Sequence, residues 1–503
     1  MKKQIVILAL LVVFMLLLNS CSNSNQENIS VDENENKNEN TSSSNDTAED
    51  TDVSDELEEY EFPDVNYDGT DFTILNINPI WNFTPQIVVE EEIGEALNDS
   101  MYKRNTTVEE TFGVSLKEVT VDMSQIERRI RTAVTAGDDA YDVMYCPASS
   151  GDAGYVGTFA LEGLLYNLLD IPELRLDKPW WDKTMLEEGI VSKDKALYFA
   201  GSDINLYGMQ APICMFFNED MMKNFGVDLP YSKVKSGDWT LDEFYKSAKA
   251  GAHLNSDDAF TWKNDGTSIY GFTSWPEGIS AMIVGTGEKF IATDNNSLPY
   301  LAIENERFYS VCQKIADILA DPGVFENANS SAQHHFEAIF HAERALFMAA
   351  ELKAADTMRE SDITFGIVPM PKYDAAQTEY HTMVSRESLV TIIPVTNQNP
   401  QKAGVIMDAM AYLSHRDVTP AFYDITVSQK RLRNEESIEM LKIIRNSKFF
   451  NIGLAYGFIN GRQLYGELSS SVTDGNGAII SIIEKYRDVV NTQIDGFVSA
   501  MGQ

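Results

Sequence analysis

The sequence predicts an α/β fold, a largely parallel sheet covered by helices, and three observations predict it. A strand-like alternation opens the body of the chain. Two helical faces follow it with short strands between them. No second run of eighteen apolar residues interrupts the remainder, so the body reads as soluble. Alternating strand and helix implies parallel pairing with helices on the faces.

Each element rests on its own signal. Phe72-Thr73-Ile74-Leu75-Asn76-Ile77 alternates as a first strand. Ile93, Leu97, Met101, Val108 and Phe112 share one face of a long helix that Gly113 ends, and Val114-Ser115-Leu116 opens the next strand. Ile126, Ile130 and Val134 mark a second helix closed near Gly137. Tyr141 to Tyr145 is a short strand, followed by a small polar loop from Pro147 to Gly151. Thr240 caps a helix with Glu243 at its third position, and Trp239 staples onto Phe244. Lys263 to Gly266 is a turn before a strand at Ile269 to Phe272. Phe336, Ile339 and Phe340 form a helical face leading to a buried strand, Ala345 to Met348. Phe365 to Pro369 starts a segment running to a strand at Leu389 to Ile393, then helices at Ala403 to Leu413 and Ile479 to Phe497.

The first residues differ in composition. Lys2 and Lys3 precede fourteen uninterrupted apolar residues, Ile5 to Leu18. As a helix they span about 21 Å, short of the roughly 30 Å hydrocarbon core. A secretory signal over 1–20 explains them better than a permanent span. Leu18-Asn19-Ser20-Cys21 resembles the bacterial lipobox, although Asn19 departs from the small residue usual there. That resemblance implies cleavage before Cys21 and a lipid anchor on it, at the extracellular face of the bacterial cell membrane. Residues 21–64 form an acidic tether; from 22 on they hold fifteen acidic side chains against Lys37 alone. Such a stretch cannot bury enough apolar surface to offset its ordering entropy.

Residues 65–503 suit two or three domain-sized units. With +2 from Lys2 and Lys3 and −14 from the tether set aside, −26 of the total −38 remains on this body. That argues against nucleic acid and against any membrane contact beyond the lipid. Cys146, Cys214 and Cys312 form no CxxC pair, and read as buried thiols or as one disulfide plus a thiol. His334 and His341 stand two helical turns apart, too far to share a metal from one helix, so neither metal nor cofactor is expected.

A series of short motifs then resembles the extracellular solute-binding lipoproteins of the sugar-type (family 1) ABC importers. They are Arg104-Asn105 running to Gly113, Tyr141-Asp142-Val143, Met215 to Met221, Gly226-Val227 with Trp239 to Phe244, Phe336 to Met348, and Gly366 to Lys372. The resemblance implies a two-lobe periplasmic-binding-protein-like (type II) fold with a hinge and an interlobe cleft. Lobe one would be 65–207 plus 363–396, and lobe two 212–355 plus 397–503. It also implies a monomer that captures a small organic solute, a sugar or oligosaccharide, and delivers it to importer membrane subunits. A ligand touching both lobes only when they are closed shifts the population toward closure. A surface glycan-degrading enzyme and a binding module feeding a sensor are the alternatives. Against an enzyme, G-x-S-x-G, H-E-x-x-H and P-loop motifs are missing.

Sugars need flat aromatics for their C–H faces and polar groups for their hydroxyls. Trp81 follows the first strand, where the cleft is expected, with the core as its alternative. Trp181, beside Trp180, and Trp275, before Pro276, lie in irregular stretches and are candidates for the cleft wall. Trp262, among charged and polar neighbours, reads as surface. By the resemblance, Tyr207 and Gln210 lie at the first crossing between lobes, where relatives often place a carboxylate, and Glu351 near the second face. Ser149, Ser150, Ser385 and Arg386 are loop candidates, with ordinary surface or capping roles as the alternative.

Overall fold

Among the described residues the strands form one sheet of four strands, one of five and three two-stranded pairs. The computed structural model describes residues 59–80, 83–150, 153–191, 195–358, 361–423, 435–459, 462–475 and 477–501. The signal segment, Cys21, most of the tether and Trp81 lie outside them.

The first sheet is built from β1 (Thr70–Ile77), α1 (Ala96–Phe112), β2 (Val114–Val121), α2 (Met123–Thr135) and β3 (Val143–Pro147). β1 pairs in parallel with β2 and with β3. α1 starts later than its apolar spacing suggests: Ile93 stands outside it, 60% exposed. Gly113 ends α1 in the left-handed region, at φ +60°, and a Cβ there would collide with Asn66. Glycine adopts this conformation without the strain another residue would carry. The expected loop after β3 is a small hairpin, β4 (Ser149–Ser150) against β5 (Ala153–Gly154).

The chain crosses through α3 (Leu206–Gln210) into β6 (Ile213–Asn218). Then follow α4 (Leu241–Ala250), β7 (Tyr270–Ser274), α5 (Pro276–Gly285), β8 (Phe325–Asn327), α6 (Phe336–His341), β9 (Ala345–Glu351) and β10 (Phe365–Val368). The second sheet runs β8-β7-β9-β6-β10. β7 is parallel to β8 and β9, but β6 is antiparallel to β9 and β10. The sheet is therefore mixed, because the entering strand runs against those that follow. α4 starts as its sequence signals: the Thr240 side chain accepts from the Glu243 N–H, and Trp239 is fully buried edge-on to Phe244.

Only β11 (Leu389–Ile392) returns to the first sheet, antiparallel to β3. The segment 363–396 is thus divided, its first strand belonging to the second sheet. α7 (Pro400–Leu413) also departs from the expected boundary, since it packs beside α1 on the first sheet. Lys402 Nζ lies 2.8 Å from Asp142, and the buried Arg104 of α1 donates to Ser414 Oγ just past α7. α8 (Arg462–Thr473) and α9 (Ile479–Met501) close the chain against α5 and each other. Among the described residues no helix is long and apolar enough to cross a membrane. Cys146, Cys214 and Cys312 are buried free thiols.

Candidate functional site

β7 and β9 are parallel and end on the same side of the second sheet, the side where such sheets bind ligands. Trp275 immediately follows β7 and precedes Pro276 at the first position of α5, where the missing N–H costs nothing. The Trp275 ring stacks on Phe336 at 4.7 Å and 14°. Glu277 sits in the first turn of α5, where the helix dipole favours a carboxylate. It accepts the Arg386 backbone N–H at 3.0 Å, and its second oxygen lies 3.9 Å from Arg386 Nε. That Nε is buried and makes no hydrogen bond among the described residues. The Arg386 carbonyl accepts from Ser149 N–H, and Ser385 N–H donates to the Ala211 carbonyl. Arg386 thus belongs to the crossing between the sheets.

Trp275, Glu277 and Arg386 line a half-open cleft of about 720 Å³ together with α8 residues Gln463, Tyr465 and Gly466. This volume suits a drug-sized molecule. Glu277 also faces a deeper group. Tyr207 is fully buried and lies flat on Phe83, with ring centroids 3.8 Å apart at 4°. Its hydroxyl has no hydrogen-bond partner among the described residues. Burial raises its pKa far above the usual phenol range, and the carboxylates of Glu387, Glu351 and Glu277 add to the rise. Glu351 ends β9; burial pushes its carboxyl up to about 7, with Lys353 opposing and Glu277 and Glu337 reinforcing. Lys353 Nζ stands 3.9 Å above the Phe83 ring.

The candidates from the sequence therefore divide. Trp275 and Arg386 meet in the cleft, and Tyr207 and Glu351 lie behind it. Gln210 is buried, its amide oxygen accepting from Thr84 N–H at 3.0 Å, which ties the Phe83 loop to the crossing. Ser149 is buried and reaches this region through its backbone; Ser150 pairs through its backbone with Ala153. Trp181 needs correction. It is 3% exposed and donates its indole N–H to the Leu174 carbonyl, while Trp180 donates to Asp408. Both rings are core because the fold supplies each N–H with a buried acceptor. Trp262 is half-buried rather than surface, stacked on His334 with Arg344 3.9 Å from its ring centroid. His334 in turn lies 2.7 Å from Glu326, and no cluster among the described residues is arranged to hold a metal.

Sequence reasoning missed Glu277, Lys353, Glu387 and the α8 wall, whereas Phe83 ends a loop, Asn78 to Phe83, that its place after the first strand marks as a candidate wall. Trp275-Pro276-Glu277 carried a usable signal, a helix start with an acid in its first turn directly after a strand. Nothing local in α8 distinguishes its cleft face.

The sequence profile of bacterial extracellular solute-binding proteins, family 8, matches residues 104–420. The chain belongs to that family. Solute-binding proteins of this family are non-catalytic binding receptors. Among solved structures, a cyclic α-maltosyl-1,6-maltose binding protein from Arthrobacter globiformis is similar at 12% identity and TM-score 0.57, covering 85% of this chain and 100% of its own. An ABC substrate-binding protein from Listeria monocytogenes in complex with cycloalternan is similar at 12% identity and TM-score 0.52, covering 86% and 100%. A Mycobacterium tuberculosis protein in complex with glycerophosphocholine is similar at 12% identity and TM-score 0.51, covering 86% and 99%. At these identities the likeness shows the periplasmic-binding-protein fold. No curated protein matches this solute-binding protein.

Proposed function

We propose that this solute-binding protein captures a carbohydrate of oligosaccharide length for an ABC importer. One observation carries the reading: an aromatic ring, Trp275, and an opposed charged pair, Glu277 and Arg386, share the wall of one cleft of about 720 Å³. An aromatic face takes the C–H patches of a sugar ring, and charged groups beside it take hydroxyls. Two similar solved proteins carry cyclic oligosaccharides in their names. Their fold supports the analogy, and the site residues supply the chemistry.

Capture works by closure. Arg386 reaches the cleft from the crossing between the sheets, while Trp275 and Glu277 reach it from the second sheet. Arg386 is already hydrogen-bonded to Glu277, so the arrangement a ligand favours is the one that brings the first sheet toward this wall. In the same reading, 1–20 is a secretion signal and Cys21 carries the lipid that holds the protein at the outer face of the membrane. Labelled palmitate incorporated by the native protein and lost on Cys21→Ser tests the anchor.

Thermal melting of the purified protein against a panel of glycans tests the ligand class. Ligand at 100 times its dissociation constant adds about 2.7 kcal/mol, read as a melting rise of a few degrees. Flat curves with every glycan, alongside a rise with peptides, polyamines or glycerophosphodiesters, would replace the carbohydrate reading.

A further inference from the structure

The family match ends at residue 420, yet much of the cleft wall lies beyond it. Gln463, Gly466, Ser470 and Ser471 all line the cleft from α8. Counted from Gln463 they stand three, seven and eight residues on, which puts Gly466 and Ser470 on the face of Gln463 and Ser471 at its edge. The opposite face is core: Leu464, Leu468 and Val472 are fully buried. α8 is also pinned to the helix that carries the rest of the site. Ser469 Oγ and Ser280 Oγ of α5 lie 2.5 Å apart, and Tyr465 donates to Met383 Sδ at 3.3 Å. α8 is thus tied to the helix that follows Trp275 and carries Glu277.

Gly466 is the informative residue. Glycine is the poorest helix former after proline, and this one lies in the middle of α8. Its backbone does not adopt the left-handed region, and a Cβ built on it meets nothing within 4 Å. Neither backbone geometry nor packing accounts for it. What the missing side chain does is keep the wall flat where it faces the cleft. Glu467 also lines the cleft, its carboxylate accepting from Lys485 and Tyr486 of α9.

We infer that α8 is the specificity wall of the cleft: Gly466 leaves room for a second ring of an oligosaccharide beyond the ring on Trp275, and Gln463 and Ser470 flank the space that ring enters. The cleft volume agrees, since at about 30 Å³ per water it equals about 24 waters, more space than a single ring requires. This inference rests on the carbohydrate reading above.

The test measures binding by calorimetry for the wild type, Gly466→Leu and Gln463→Ala, with a monosaccharide and with α- and β-linked glucans of two to six rings. Gly466→Leu keeps a good helix former and projects into the cleft, so melting should not fall. Expected are at least a tenfold loss of affinity for chains of two or more rings, less than a twofold change for the monosaccharide, and a three- to tenfold loss with Gln463→Ala. Equal affinities of wild type and Gly466→Leu at every length would overturn the wall while leaving the carbohydrate reading intact. No glycan binding by the wild type would overturn both.

Discussion

Asp408 and Glu351 are both largely buried carboxylates, and their surroundings are opposite. Asp408, on α7, is 1% exposed and accepts from Tyr60 Oη at 2.9 Å, Trp180 Nε1 at 2.7 Å and Arg175 Nε at 2.7 Å. The Arg175 guanidinium also packs 4.3 Å from the Tyr60 ring, which stacks on Tyr412. Every partner is a donor, and the cluster fastens the entering chain to the first sheet. Glu351 faces two further carboxylates, Glu277 and Glu337, and the Lys353 ammonium. Near it stands a hydroxyl without a hydrogen bond among the described residues, Tyr207 Oη, and Glu277 faces a guanidinium nitrogen in the same state, Arg386 Nε. Burial raises the pKa of both carboxyls; what differs is that a satisfied buried cluster holds a fold together, whereas unsatisfied groups gather where a ligand docks.

Breaking the satisfied cluster should have the largest effect. Asp408→Ala strands the Arg175 guanidinium, the Trp180 N–H and the Tyr60 hydroxyl, and should destabilise by about 3–5 kcal/mol. Denaturant unfolding measures this, and a loss under about 1 kcal/mol would mean the cluster relaxes onto water. Trp181→Ala should destabilise by a similar 3–5 kcal/mol, as a core truncation. Trp275→Ala should instead weaken glycan binding by about 2 kcal/mol, roughly 30-fold, with a smaller change in melting. A larger melting loss at Trp275 than at Trp181 would reverse the assignment of core and cleft.

Glu351 gives the pH dependence. Its folded pKa, about 7, lies above the ordinary 4.5, so the native state holds a proton that the unfolded state has released. Stability is therefore highest below about pH 4.5 and falls, on the order of 3 kcal/mol, as pH rises to 7. Glu351→Gln should remove that slope, melting higher than the wild type at pH 8 and converging with it near pH 4.5. Parallel curves for the two proteins would place the titration elsewhere. The smallest effect is at Gly466, where alanine should raise stability by about 0.5–1 kcal/mol, since its Cβ meets nothing. A lower melting temperature would reveal a packing role for the glycine.

Much of the fold was legible because its signals are local. β1, the Gly113 stop and the Thr240 cap each depend on residues within a few positions, and each stands where its pattern put it. The reading failed where one local pattern fits two destinations. Phe365–Val368 and Leu389–Ile392 look alike as apolar strands, yet they belong to different sheets. Trp181 and Trp275 both lie in irregular stretches near proline, and only Trp275 reaches the cleft.

By itself the sequence determined the alternation of strand and helix and the places where helices start and stop, since periodicity and capping act over one helical turn. Tertiary structure alone decided which tryptophans are core, which carboxylates crowd together, and that α8 walls the cleft. The reason is distance along the chain: Trp180 meets its acceptor Asp408 across 228 residues, and Glu277 meets Arg386 across 109. Burial and charge at a site are properties of such pairs, and no window of neighbouring residues contains both members.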